Sequence, residues 1–224
     1  MCRLKSGIIL KGRVFVPEYD SHTKMLEELG ITDDYLNASK TFIRAELLPV
    51  DGDVFSSIDS WMLKVDQDVI PDWYDEETYK PQVIAAVKEW TKDHIHNGVD
   101  GLKIAAGRNH YIKDCKDVEI CDSATVEYIC GSATVENICG SATVENICGS
   151  ATVKNIYGSA TVENICGSAT VENAKGLSVI ISNRYGWNKK DTLVLTENAT
   201  FKDCQTKIIY QSGDWKLISV TEEK

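Results

Sequence analysis

The second residue is the candidate nucleophile of this chain. Removal of Met1 would leave Cys2 with a free α-amino group beside its thiol, the arrangement used by enzymes with an N-terminal nucleophile. The sequence contains no phosphate-binding glycine loop, nucleophile elbow or CxxC pair, and it offers no identifiable base to activate Cys2. We therefore favour a protein that is not an enzyme and needs no cofactor. A small enzyme using Cys2 is kept as an alternative.

The segment from Val65 to Asp75 is the candidate binding site. It follows an expected strand and interleaves acids with aromatic rings, and its candidate binding residues are Asp66, Asp68, Asp72, Trp73 and Tyr74. Carboxylates beside Trp and Tyr rings are suited to line a polar pocket or to present a binding edge. The competing interpretation is a solvated loop that a tryptophan anchors.

His94 and His96 are the candidate metal ligands of the N-terminal half. Residues two apart on a helix point to different sides, so this pair would chelate a metal only beyond the end of the helix. We therefore predict no metal site there.

The chain contains eight cysteines, Cys2 included, and five of them recur at one position of a repeat. From residue 121 the chain reads CDSATVEYI, CGSATVENI, CGSATVENI, CGSATVKNI, YGSATVENI and CGSATVENA, without a slip in its nine-residue period. Their spacing therefore reflects duplication and not a disulfide plan. The five are Cys121, Cys130, Cys139, Cys148 and Cys166.

The repeat predicts short strands joined by corners. Ala124 and Val126 are two residues apart, so both point to one side of a strand while Thr125 points to the other. Val126 and Ile129 are three apart, which predicts a bend between them. The Gly-Ser pair, present in every repeat but the first, predicts the other corner, because glycine adopts backbone angles that other residues avoid. A glycine every nine residues would also cost a helix ~1 kcal/mol each time.

Two repeats make one 18-residue coil, since a single nonamer is too short to enclose a core. Successive coils stack at about 4.8 Å, with alanine, valine and isoleucine in a dry interior. We therefore predict a parallel β-solenoid in which alternate repeats share a face. The two resulting cysteine columns are Cys130, Cys148 and Cys166, and Cys121, Cys139 and Tyr157.

The cysteine columns are expected to face outward or into a loose margin. Tyr157 stands in one of them, and a phenol would overfill an interior position sized for a thiol. We expect these thiols to be reduced and free of metal, because zinc gathers four ligands around one point and not along a line. A metal-binding thiolate column is the alternative. The glutamates recur as well, with Lys154 as the exception, and are expected to discourage sideways aggregation of sheet edges.

The residues before the repeats predict a compact α+β domain. Residues 7–16 have the pattern of two short strands, Asp20 or Ser21 is suited to cap a first helix, and a second helix is expected to begin near Pro81. Further strands are predicted over 42–48 and 61–65.

The residues after the repeats alternate short apolar runs with turn residues. An open solenoid end exposes unpaired strand edges, so this part is expected to form a β-rich cap that includes Trp187 and Trp215. The predicted domains are an α+β domain over 1–110, the β-solenoid over 111–176 and the cap over 177–224.

Composition limits the functional classes. The net charge is −10 and no basic stripe occurs, so direct binding of nucleic acid is not expected. No apolar run approaches the ~20 residues of a membrane helix, and the first residues do not resemble a signal peptide. We expect a cytoplasmic protein without a membrane segment.

Long stretches of the chain resemble a family of uncharacterised proteins of gut-bacterial phages and prophages. The resemblance lies in SGIILKGRVFVPEYDSHTKMLEELGI, FIRAEL and KVDQDVIPDWY, followed by tandem GSATVENI units, and it covers residues 1–176. It implies a small accessory protein in the host-cell cytoplasm, and it implies no activity.

Three functions follow as hypotheses. The first is a non-enzymatic binding and assembly module that acts by stoichiometric contact with a host or phage protein. The second is an acidic mimic of DNA that inhibits a host defence protein, and the third is the enzyme using Cys2. We also expect a homodimer that associates through the C-terminal end or a solenoid face, since a short rod has much exposed surface for its volume.

Overall fold

The computed structural model of this chain describes residues 4–183 and 193–213, and it comprises two compact units, Met1–Ile95 and His96–Lys224. The second unit thus begins before the expected boundary at residue 111. Sequences that lack the repeat motif also form coils of the solenoid, because they place apolar residues such as Ile104, Ile112 and Val118 in its interior. Trp187, Trp215 and Cys2 lie outside the described residues.

The first unit is a four-stranded antiparallel sheet with three α-helices. The strands are β1 (Lys5–Leu10), β2 (Arg13–Phe15), β3 (Phe42–Leu48) and β4 (Met62–Val65), in the order β2-β1-β3-β4. The helices are α1 (His22–Glu28), α2 (Tyr35–Ala38) and α3 (Glu76–His94), and single 3-10 turns occur at Val50–Gly52 and Ile58–Ser60. Side chains from β1, α1 and β3, including Ile8, Met25 and Phe42, form a buried cluster. This is the predicted α+β fold.

The helix caps explain where the helices begin. Ser21 accepts a hydrogen bond from the backbone N of Lys24, as one of the two expected caps of α1. α3 begins at Glu76 and not near Pro81, because Asp75 accepts a hydrogen bond from the backbone N of Thr78 at 3.0 Å. Pro81 consequently lies inside the helix, where it has no N–H to donate to the preceding turn.

The second unit is a β-solenoid of about six turns over residues 95–203. In chain order, its strands β5 to β18 are Ile95–Asn97, Lys103–Ile104, His110–Lys113, Val118–Ile120, Thr125–Cys130, Thr134–Ile138, Thr143–Ile147, Thr152–Ile156, Thr161–Ile165, Thr170–Ala174, Val179–Ser182, Val194–Leu195, Thr200–Asp203 and Ile208–Gln211. They form a six-stranded sheet in the order β16-β14-β12-β10-β8-β6 and an eight-stranded sheet in the order β18-β17-β15-β13-β11-β9-β7-β5.

The strand register confirms two repeats per coil. Thr134 pairs with Thr152 and Ile138 with Ile156, in parallel, so each residue lies beside the one 18 positions away. The solenoid interior consists of the repeated Ala, Val and Ile, all fully buried in the central repeats, while the threonines face outward and are half-buried. Since Val144 and Ile147 are both buried although three residues apart, the backbone bends between them, as predicted.

The glycine corner is determined by two separate requirements. Gly149 has a φ of +66°, which side-chain-bearing residues rarely adopt, and a Cβ atom there would lie 2.9 Å from the backbone N of Gly131 in the preceding coil. The corner also closes a turn in which the backbone N of Ala151 donates to the carbonyl of Cys148. Glycine therefore allows both the turn and the close stacking of corners.

Asparagine ladders tie neighbouring coils together on the outside. The Nδ2 of Asn164 donates to Oδ1 of Asn146 at 3.0 Å, and the Nδ2 of Asn155 donates to the carbonyl of Glu136 at 3.1 Å. Each coil thereby gains a side-chain hydrogen bond in addition to those of the backbone.

Beyond the last repeat, β15 and β17 continue the parallel stack, and β18 adds an antiparallel strand to it. Ala199 and Phe201 are buried in the solenoid core, and Phe201 pairs in parallel register with Ile180, so this stretch continues the stack of coils. No helix within the described ranges is long and apolar enough to span a membrane.

Candidate functional site

A polar cleft of the first unit lies where β3, β4 and α2 meet, and it contains part of the predicted binding segment. Its volume is about 530 Å³, and it is lined by Asp33, Asp34, Tyr35, Ala38, Arg44, Asp66, Gln67, Asp68 and Val69. Four carboxylates therefore face one guanidinium group. The cleft favours cationic ligands.

Gln67 holds the floor of this cleft in place. Its Oε1 accepts from the backbone N of Arg44 at 2.9 Å, and its Nε2 donates to the carbonyls of Phe42, Ala38 and Val69. One amide side chain thus fixes the segment after β4 against β3. Sequence reasoning missed this residue, because nothing in the sequence distinguishes Gln67 from its solvated neighbours.

Several acids of the cleft have partners. Asp33 forms an ion pair with Arg44, and Asp66 lies 3.7 Å from Nζ of Lys64 and 3.8 Å from Nδ1 of His22. Asp34 caps α2 by accepting from the backbone N of Asn37 at 2.8 Å. Three of the four carboxylates thus have a partner at the cleft, and Asp66 and Asp68 are exposed.

The structure separates the other predicted binding residues from this cleft. The Nε1 of Trp73 donates to the carbonyl of Lys40 at 2.6 Å, and its ring packs edge-on against Tyr79 at 5.6 Å. The ring of Tyr74 stacks on Tyr79 at 6.0 Å, and burial raises the pKa of its phenol. Asp72 is exposed and is not part of the lining. Trp73 and Tyr74 therefore anchor the loop on α3, and of the five predicted binding residues only Asp66 and Asp68 line the cleft.

An exposed apolar pair lies beside the cleft. Tyr35, which lines it, is 76% exposed, and the next residue of α2, Leu36, is 61% exposed. Aromatic side chains are enriched in the buried parts of protein interfaces. The cleft thus combines charge with an apolar surface.

The solenoid carries a column of three stacked glutamates. Glu127, Glu145 and Glu163 occupy equivalent positions in successive coils of the eight-stranded sheet. Partial burial, a hydrogen bond to Glu145 and the negative charge of the column raise the pKa of Glu127 to about 7. In the opposite sheet Lys154 interrupts the series and pairs with Glu136 at 2.5 Å. The two faces therefore differ in charge.

The two cysteine columns are present as predicted. The seven described cysteines are free, and those of the repeats are partly exposed, which agrees with an outward or marginal position. The phenol of Tyr157 is hydrogen-bonded to the thiol of Cys139, and this bond raises the pKa of Tyr157. Lys175 lies over the ring of Tyr157, 5.2 Å from its centroid.

The two histidines contribute to different local structures. His94 ends α3, where its Nδ1 lies 2.8 Å from the carbonyl of Trp90 and its Nε2 lies 3.3 Å from Glu18. His96 lies in β5 and stacks on His110 at 5.9 Å. Within residues 4–183 and 193–213, no group of three or more His, Cys, Asp or Glu side chains converges to hold a metal ion.

Comparison of this chain with protein-family models, with curated proteins and with solved structures finds no match.

Proposed function

We propose that this chain is a non-enzymatic binding and assembly protein of phage or prophage origin, which acts by stoichiometric contact with a host or phage protein. The cleft of the first unit carries this proposal, since it places exposed Asp66 and Asp68 beside the exposed Tyr35. A surface with both charge and an aromatic ring suits a protein partner better than a small apolar ligand.

The chemistry of the cleft specifies a basic partner segment. Its lining has four carboxylates against one guanidinium, and the chain as a whole has a net charge of −10. Opposite charges steer association and fix the register of the two surfaces. The exposed ring of Tyr35 offers a stacking surface to an arginine or lysine of the partner. The expected partner therefore presents lysine or arginine next to an apolar residue.

Quantitative affinity purification from the host tests this proposal. The full-length tagged protein is compared with Asp66→Asn/Asp68→Asn, which removes two charges from the cleft. The control, Glu27→Gln/Asp93→Asn, removes two charges from exposed helix positions outside it. We expect wild type and control to retain one partner in equimolar amounts, and the cleft variant to retain about tenfold less, a loss of about 1.4 kcal/mol.

Two results would contradict the proposal. One is equal capture of the partner by wild type and by the cleft variant. The other is chemical conversion of a substoichiometric partner, which would indicate an enzyme and would direct attention to Cys2. High salt should weaken the wild-type complex, because surface charge interactions are screened within about 10 Å at 0.1 M salt.

Acidic mimicry of DNA by the glutamate column is the second candidate. Glu127, Glu145 and Glu163 form a regular negative series, as phosphates do. Because the pKa of Glu127 is about 7, this series is only partly charged at neutral pH, and Lys154 interrupts the corresponding series of the other sheet. Mimicry predicts a DNA-binding partner that duplex DNA displaces from the wild-type protein. The cleft variant would then bind as wild type does.

A further inference from the structure

The thiols of the solenoid lie side by side at regular intervals. The backbone N of Cys148 donates to the carbonyl of Ile129, and that of Cys166 donates to the carbonyl of Ile147, both at 2.9 Å. Cys130, Cys148 and Cys166 therefore occupy the same position in three successive coils, and their side chains point in the same direction. They are partly exposed, so solutes can reach them.

The spacing of the coils selects the kind of ligand that two such thiols can share. Parallel strands lie about 4.8 Å apart, and stacked side chains keep this separation at Cβ. A disulfide requires Cβ atoms 3.5–4.5 Å apart and a dihedral near 90°, which parallel side chains do not provide. A metal–thiolate bond of about 2.3 Å gives a linear sulfur–metal–sulfur unit a span of about 4.6 Å. Linear two-coordination thus fits the stacked coils without backbone movement.

One ammonium group lies near the first thiol of each column. Burial and the neighbouring Cys148 raise the pKa of Cys130, and the charge of Lys113, which pairs in register with it, partly offsets this rise. Lys103 likewise lowers the pKa of Cys121, although burial and Asp122 raise it by more. A cation held by two thiolates forms an anionic unit when the cation is monovalent, and a nearby ammonium group stabilises it.

We propose that the two cysteine columns, which the sequence led us to expect free of metal, bind soft cations that prefer linear two-coordination by thiolates, the class of Cu(I) and Ag(I). Soft thiolate ligands select Cu(I), whereas tetrahedral zinc needs four ligands around one point. One monovalent ion replaces the protons of two neighbouring thiols, forms two metal–sulfur bonds and releases two protons to solvent, with no change in oxidation state. The longer column offers the pairs Cys130–Cys148 and Cys148–Cys166, which share a thiol. The shorter column offers Cys121–Cys139.

Cu(I) retention by the reduced full chain, measured anaerobically against a chromophoric Cu(I) chelator, tests the proposal. Cys148→Ser should lose one ion relative to wild type, because Cys130 and Cys166 then lie two coils, about 9.6 Å, apart. Cys139→Ser should lose the ion of the other column. Cys166→Ser removes a thiol from the same column as Cys148→Ser but leaves the Cys130–Cys148 pair, so it should retain as much Cu(I) as wild type.

The proposal predicts that Cu(I) retention depends on the middle cysteine of the column, Cys148, and not on the end cysteine, Cys166. Equal retention by Cys148→Ser and wild type would overturn the proposal, as would equal losses in Cys148→Ser and Cys166→Ser. X-ray absorption of the loaded protein should show two sulfur ligands per Cu(I), and three or four would equally overturn it. If Cys148→Ser does not fold, Cys130→Ser/Cys166→Ser serves instead, since it leaves a single thiol in the column and should also lose one ion.

Discussion

The stability of the solenoid should decrease as the pH rises through 7, because of the glutamate column. The pKa of Glu127 is about 7 in the folded chain, against 4.5 for an ordinary glutamate. The folded chain therefore holds this proton more tightly than the unfolded chain does. Its stabilising effect is complete below pH 4.5 and is lost progressively up to about pH 8.

The size of the effect follows from the same two values. A rise from 4.5 to about 7 corresponds to about 3 kcal/mol. Glu127 is partly exposed, so solvent screens the repulsion from Glu145 and Glu163, and we expect a net effect of about 1–2 kcal/mol. Urea unfolding followed by the circular dichroism of the β-sheet, at several pH values between 4 and 8.5, measures it through the midpoint and the slope.

Glu127→Gln isolates the contribution of this carboxyl group from those of the other titratable groups. The variant should be more stable than wild type at pH 8, and its advantage should shrink as the pH falls and vanish below about pH 4.5. Glu172→Gln is the matched control, since Glu172 is an exposed glutamate of the opposite sheet, in the column that contains Lys154. A pH profile that is the same in wild type and in Glu127→Gln would refute the reasoning.

Three further outcomes are expected. Gly149→Ala should destabilise the solenoid by about 1–3 kcal/mol. It should do so by more than Gly101→Ala, because both glycines have a positive φ but a Cβ at residue 101 meets open space. Equal urea midpoints of the two variants would contradict this. Light scattering at micromolar concentration should give the mass of a dimer, and the exposed Ile209 of β18 is a candidate contact residue. A mass that stays near 24.9 kDa at all concentrations would reject the dimer. Thiol titration of the denatured, unreduced chain should find all eight cysteines, and markedly fewer would show that disulfides form.

The repeat region is the part of the fold that the sequence determines almost completely. Because every residue recurs in the same environment, the period of nine directly shows which positions lie together in space. The inward Ala124, Val126 and Ile129, the bend after Val126 and the column containing Cys139 and Tyr157 all follow from that period, and the structure confirms them. Contacts between coils join residues at a constant separation along the chain, so they can be deduced from the repeat.

Only the tertiary structure shows which segments without the repeat join the solenoid and how the cleft of the first unit is built. The coils formed by residues 95–120 have no repeat motif, and they join the solenoid because Ile104 and Ile112 are buried in the same core as the repeats. In the first unit, Gln67 joins segments more than 20 residues apart, and Asp66 and Asp68 lie apart from the edge-on contact of Trp73 with Tyr79. The raised pKa of Glu127 likewise requires Glu145 to lie one coil away. Such contacts depend on how segments that are distant in the chain fold back on one another. Where the sequence does not repeat, no local sequence pattern predicts these contacts.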